Sequence, residues 1–413
     1  MKPGFGALAL GLLGLTSTIT VTATELEVTH WWTSGGEAAA VKVLATAFNE
    51  GGDSWVDSAL AGSGDFAKPL IINRIIGGKP MGATQLNHGR QAEELIAEGL
   101  MQDLTELAQK EGWKDIVRPQ SLLDSCTFSG RIYCVPLNIH SFQWMWISLA
   151  AFEHAGVSPP KDWTEFVAVA PQLKKAGITP LAIGAQTWQT NGLFGVMQLG
   201  IGGIDLYTRA MVERRSDALR GQQMRTVWEA FSDARELDSN NNSIQNWNDA
   251  TMQVINGTHA AQVMGDWAQG EFQLAGQTAG IEYDCLPGLG LAPVLDTGGD
   301  AFYFPKQANA EKTAAQLRLA SLMLSRQVQV DFNLKKGSLP VRGDLDFRTT
   351  SSCMKKGLEI LANPKNIVPT GTQLWSADTD GQISDLLVEF WTNPNMTVEN
   401  AHDAWATIIE QAD

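Results

Sequence analysis

The segment Trp31-Trp-Thr-Ser-Gly-Gly-Glu37 puts two indoles, two hydroxyls and a carboxylate within seven residues. An indole offers a wide apolar face with one hydrogen-bond donor, which suits the C–H face of a sugar ring. A carboxylate beside it accepts bonds from hydroxyls. The same groups also fit hydrolysis, because a glycosidase needs two carboxylates flanking the scissile bond. Glu37, Asp266 and Asp300 all fall on predicted loops. His88 and His140 are loop histidines able to donate hydrogen bonds. Other chemistries lack their residues: no Gly-x-Ser-x-Gly elbow, Gly-x-x-x-x-Gly-Lys-Ser/Thr loop or His-Glu-x-x-His pair occurs. No Gly-x-Gly-x-x-Gly follows the first strand, and neither His nor Cys spacing suggests a metal. No cofactor and no metal is expected.

These residues need elements to place them. Leu26 and Val28 alternate with polar residues and predict a strand. Val41, Leu44, Ala45 and Phe48 recur at helical spacing and predict an amphipathic helix. The tryptophan loop between them then lies at the carboxyl edge of a sheet, where open α/β folds bind ligands. A helix over 63–78, a strand over 81–86, a loop at Asn87-His88 and a helix over 91–99 follow. That βαβα order predicts a parallel sheet with right-handed crossovers. Strands over 132–136 and 142–147 flank the polar break Asn138-Ile-His140, read as the passage between two domains. Residues 163–290 read as mostly helical, with strands near 180–184 and 260–264, the second followed by the loop Gly265-Asp-Trp267. A strand over 301–305 and a helix over 310–325 come next. The C-terminal part is helical, with Trp391 and Trp405 on packing faces.

A length of 413 residues accommodates two domains, and 44% hydrophobic with 18% charged residues describes a folded chain. The net charge of −15 argues against nucleic acid and against a polybasic membrane contact. Lys2, the apolar run 4–15 and the small residues ending at Ala23 predict a signal peptide over 1–23, cleaved near Ala23. The run is short for a membrane span of ~20 residues, so no membrane insertion is expected. The first cysteine is Cys126, which excludes a lipid-bearing cysteine at the cleavage site. Cys126 and Cys134 flank a hairpin-like segment and suit a local disulfide in an exported protein, leaving Cys285 and Cys353 for a long-range one. Four free buried thiols are the alternative. A monomer is expected.

Taken in order, Trp31-Trp-Thr-Ser-Gly-Gly-Glu37, Gly130-Arg-Ile-Tyr-x-Val-Pro136, Gly265-Asp-Trp267 and Lys336-Gly-Ser-Leu-Pro-Val-Arg342 resemble the solute-binding proteins of ABC sugar importers, specifically the glucose/mannose-binding branch. The resemblance covers nearly all of the chain after residue 23. It implies a periplasmic-binding-protein fold of two discontinuous α/β lobes around a ligand cleft, with lobe 1 from 24–138 and 297–333, and lobe 2 from 139–296 and 334–413. It implies a periplasmic, non-enzymatic protein that binds a monosaccharide such as glucose or mannose and delivers it to the membrane permease. The ligand set it implies is Trp31, Trp32, Glu37, Asn87, His88, Asn138, His140, Trp247, Trp267, Asp300 and Lys336, with Trp32 as stacker and Trp31 in support. Two positions depart from the pattern. Asn87-His88 stands where the resemblance leads one to expect a lysine, and no histidine occurs near Trp375-Ser-Ala-Asp378. An exported glycoside-processing enzyme using Glu37 with Asp300, and a sugar receptor for chemotaxis, are the competing readings.

Overall fold

The computed structural model describes residue 1 and residues 23–238, 244–346 and 350–412. Apart from its two ends, the predicted signal peptide lies outside them. Two sheets organise the chain. In the first, the strand order is Ser54–Ala59, Glu25–His30, Ala83–Asn87, Asp300–Tyr303, Cys134–Pro136. The first three strands are parallel, and Asp300–Tyr303 runs antiparallel to both its neighbours. The second sheet has the order Tyr283–Pro287, Trp144–Ser148, His259–Val263, Thr179–Leu181. Because Asp300–Tyr303 returns to the first sheet after the second is complete, each lobe is discontinuous. The expected two-lobed α/β architecture is therefore present. The edge strand Ser54–Ala59 escapes sequence reading because only one sheet face needs apolar residues there, and Ser54, Asp57 and Ser58 interrupt the alternation.

The chain crosses between lobes along a bundle of short paired segments. Asn138–Ile139 pairs with Leu339–Pro340, His140 bridges Gly298, and Leu295–Asp296 pairs with Ile367–Val368. The helix Arg326–Lys336 packs on the helix Gly35–Glu50 and runs unbroken through the expected 333/334 boundary. It ends at Gly337, whose φ of 83° is the left-handed conformation that glycine accepts without strain. Asn333 stays inside the helix, its Nδ2 donating to the Gln329 carbonyl.

Local chemistry accounts for the placement of the tryptophan loop. Ser34 caps the helix Gly35–Glu50, and Glu37 reaches back in a capping box, so the backbone leaving Trp32 is fixed by two reciprocal bonds. Both disulfides form, Cys126–Cys134 and Cys285–Cys353. Much of the tryptophan excess is core filling. Trp113, Trp144, Trp146, Trp228 and Trp405 are fully buried, and Trp228 packs against Phe194, Phe231 and Phe390 in the helical layer of the second lobe.

Candidate functional site

A cavity of about 530 Å³ lies between the lobes, within the range of ~300–1,000 Å³ usual for small-molecule sites. Of the residues predicted from sequence, Trp31, Trp32, Glu37, Asn87, His140, Trp247, Trp267, Asp300 and Lys336 border it, whereas His88 and Asn138 do not. His88 is buried beneath, with Nδ1 facing Ser125 Oγ and Gln373 Nε2, each at 3.0 Å. Burial lowers its pKa to about 4, so it is neutral at physiological pH. Asn138 is spent on the hinge. Its Nδ2 donates to Asp300 Oδ2 at 3.1 Å, and its Oδ1 accepts from the Asp300 backbone N–H at 2.8 Å.

The two adjacent tryptophans both border the cavity but differ in exposure. Trp32 is 2% exposed and packs on Phe302 and Phe332, with ring centroids 5.7 and 5.5 Å away. Its indole is held by the first-lobe core. Trp31 is only half-buried, its backbone N–H donates to Gln85 Oε1, and Lys68 Nζ stands 5.6 Å from its ring centroid. Trp31 therefore presents the open aromatic surface of this lobe. Opposite, Trp267 gathers an aromatic cluster. Phe142 meets it edge-on at 4.8 Å, His140 edge-on at 4.7 Å, Trp188 lies at 6.1 Å and Trp247 at 6.4 Å.

Charged groups occur in linked sets. Lys336, at the end of its helix and 2% exposed, donates to Glu37 Oε1 at 2.7 Å. Glu37 Oε2 also accepts the backbone N–H groups of Thr33 and Ser34 at 3.2 and 3.3 Å. The second set bridges the lobes: His140 Nδ1 lies 2.6 Å from Asp266 Oδ1 of the second lobe, and Nε2 lies 2.9 Å from Asp300 Oδ2 of the first. Burial works against a charged imidazole, but Asp266 and Asp300 together overcome it and raise the His140 pKa. Asp300 is buried as well, yet His140, Lys336 and the Gln85 amide (2.6 Å) hold its pKa well below the usual carboxylate range. Asp266 shifts the other way. Burial outweighs His140 there, since only the Ser141 N–H adds a further direct donor.

Sequence reasoning missed Lys68, which reaches the cavity from the helix Ser63–Ile76. Burial lowers its pKa, and Asp65, Asp380 and Asp300 oppose that shift. Lys68 supplies a cation although the loop at Asn87-His88 carries none. Its signal is faint, because one lysine in an amphipathic helix reads as a solvated face. Gln85, Phe142 and Trp188 were missed for the same reason, each being unremarkable within its element. Among the described residues, the one trio at metal-ligand proximity is Asp284, Cys285 and Cys353, and its sulfurs are consumed by the disulfide.

Residues 76–346 match the family model for bacterial extracellular solute-binding proteins. The chain is 34% identical over 394 residues to a "probable sugar-binding periplasmic protein" of Rhizobium meliloti (strain 1021), covering 95% of this chain and 91% of the relative. In structure it resembles a chitin oligosaccharide binding protein, with a TM-score of 0.77 at 16% identity over 94% of this chain and 99% of the other. It also resembles the bacterial solute receptor AcbH, described as having an exclusive preference for b-D-galactopyranose, with a TM-score of 0.76 at 17% identity over 94% and 97% of the two chains.

Proposed function

The chain belongs to the bacterial extracellular solute-binding proteins, and on that premise we propose that it captures a monosaccharide such as glucose or mannose in the periplasm and delivers it to the permease of an ABC importer. One observation carries the reading. Trp31 of one lobe and Trp267 of the other border the same interlobe cavity, together with the Glu37–Lys336 pair and Asp300. Aromatic walls take the C–H faces of a pyranose, and hydrogen bonds to charged groups, the stronger kind, take its hydroxyls. Closure of the lobes around the ring is a hinge motion. The predicted signal peptide over 1–23 provides the export this function needs.

The hydrolytic alternative is the weaker one. An acid catalyst must hold a proton, whereas Asp300 is held ionised by His140, Lys336 and Gln85. Glu37 has Oε1 bonded to Lys336 and Oε2 to two backbone N–H groups. Calorimetric titration with glucose, mannose, galactose, xylose and arabinose tests the proposal. Saturable binding with the sugar recovered unchanged is expected; absence of binding by every one would contradict it, and product formation abolished by Glu37→Gln would transfer the case to the enzyme.

A further inference from the structure

Outside the crossing strands, hydrogen bonds join the two lobes at the starts of two helices. On the first lobe, the Gly36 N–H donates to Glu271 Oε1 of the second lobe at 2.8 Å. Gly36 lies in the opening turn of the 16-residue helix Gly35–Glu50, and Glu271 is buried. On the second lobe, Thr187 opens the 14-residue helix Thr187–Gly200, and its Oγ1 donates to Asp65 Oδ2 of the first lobe at 2.7 Å. The N-cap of that helix, Gln186, makes no side-chain capping bond. Each lobe thus presents a carboxylate to a helix start on the other. The first N–H groups of a helix lack intrahelical partners and carry partial positive charge, so a carboxylate is favoured at that end.

Both contacts follow the opening and closing of the cleft. Asp65 adjoins Gly64, where an added Cβ would lie 3.3 Å from the Trp31 ring. Thr187 adjoins Trp188, whose ring centroid stands 6.1 Å from that of Trp267. A hinge rotation that draws Trp31 away from Trp267 therefore parts Asp65 from Thr187. Glu271 lies four residues past Trp267 and Gly36 four past Trp32, so this pair rides on the same two walls. Neither Glu271 nor Thr187 borders the cavity. They favour closure without touching a ligand.

We infer that Glu271 and Thr187 are positioning residues, whose bonds to Gly36 and Asp65 hold part of the sugar-free population closed and so set sugar affinity by a factor common to every sugar. The inference rests on the sugar reading of the cleft. A ligand that binds the closed form has its apparent affinity reduced by the fraction of protein that is closed. Losing such a bond weakens all sugars equally, whereas losing a sugar contact weakens them unequally. The test is calorimetry and stopped-flow tryptophan fluorescence with glucose, mannose, galactose, xylose and arabinose, each variant first checked for a cooperative melt. Glu271→Ala should weaken every sugar that the wild type binds by about five- to tenfold, mostly through faster dissociation. Glu271→Gln keeps an acceptor for the Gly36 N–H and should stay within about threefold of the wild type. Thr187→Val should cost about two- to threefold and Thr187→Ser should restore it, because this bond is exposed and weaker. By small-angle scattering without sugar, the double variant Glu271→Ala with Thr187→Val should have a larger radius of gyration than the wild type. Should Glu271→Ala not fold, Thr187→Val at its exposed position carries the test alone. Unchanged affinities, losses that differ by more than about threefold between sugars, or no rescue by Glu271→Gln would overturn the inference. If the wild type binds none of these sugars, the reading of the cleft fails instead, and the scattering comparison decides this inference by itself: an equal radius overturns it.

Discussion

Lys336 and Glu37 meet at 2.7 Å with both side chains buried, and neither is replaceable alone. Removing one partner of a buried pair leaves an uncompensated charge, typically costing about 3–5 kcal/mol. Lys336→Met is therefore expected to lower both sugar affinity and melting temperature, and a double change with Glu37→Gln to recover part of the stability but not the affinity. Calorimetry and thermal melts separate the two effects. His140 makes a prediction with a definite sign. Its raised pKa gives a contribution to stability that is fully present below the unfolded value of about 6.5 and is lost as pH rises through the higher folded value. The melting temperature of the wild type should exceed that of His140→Gln most in mildly acid buffer, with the gap closing on the alkaline side. A gap that widens with pH would contradict the assignment. His88 behaves oppositely. With its pKa lowered to about 4, its contribution is present above about pH 6.5 and is lost as pH falls toward 4, by up to about 3 kcal/mol. His88→Gln should lose less stability over that acid interval.

Between elements, the close approach of Gly36 and Gly270 stands out. A Cβ on Gly36 would lie 2.9 Å from the Gly270 carbonyl carbon, and the Gly36 N–H donates to Glu271 Oε1 at 2.8 Å. The helix Gly35–Glu50 of the first lobe thus rests on the helix Ala268–Leu274, which follows the second-lobe strand His259–Val263. Gly36→Val should force these helices apart at a cost of about 1–3 kcal/mol, the usual range for overpacking. The expected readouts are weaker sugar binding and a larger radius of gyration by small-angle scattering with sugar present. The Cys285–Cys353 bridge closes a loop of 68 residues, for which chain entropy gives about 4 kcal/mol. Reduction or a double serine change should lower the melting temperature accordingly, and a change of under ~1 kcal/mol would show that the chain-entropy account does not apply here. Strand and helix positions with strong periodicity, such as the helix Gly35–Glu50 with Ala40, Val41, Leu44 and Phe48 buried, were legible in the sequence. The edge strand Ser54–Ala59 was not, because half of its residues are polar, none is buried and no alternation marks one face. The helix Arg326–Lys336 was also not read, although Gly337 just past its last turn is an ordinary stop signal, and the boundary expected at 333/334 falls inside it.

At the scale of the molecule, the crossing of two sheets by one chain brings residues 31, 37, 140, 267, 300 and 336 to one cavity. Motif order made that set legible, although nothing local in the sequence specifies which indole faces the cleft. That difference is tertiary: Phe302 and Phe332 bury most of Trp32, while Trp31 stays more open beside Lys68, and both still border the cavity. Lys68 was likewise not legible, because the cavity it borders is made by residues far from it in sequence. The central claim is that two lobes close on a sugar held between Trp31 and Trp267. The most direct measurement is calorimetric titration of the wild type, Trp31→Ala, Trp32→Ala and Trp267→Ala with the best-binding sugar, each variant first checked for a cooperative melt. Burying a large apolar side chain is worth about 1.5–3 kcal/mol, so Trp31→Ala and Trp267→Ala should each weaken binding by tenfold or more while melting near the wild type, and Trp32→Ala should mainly lose stability. Unchanged affinity in both Trp31→Ala and Trp267→Ala would contradict the account.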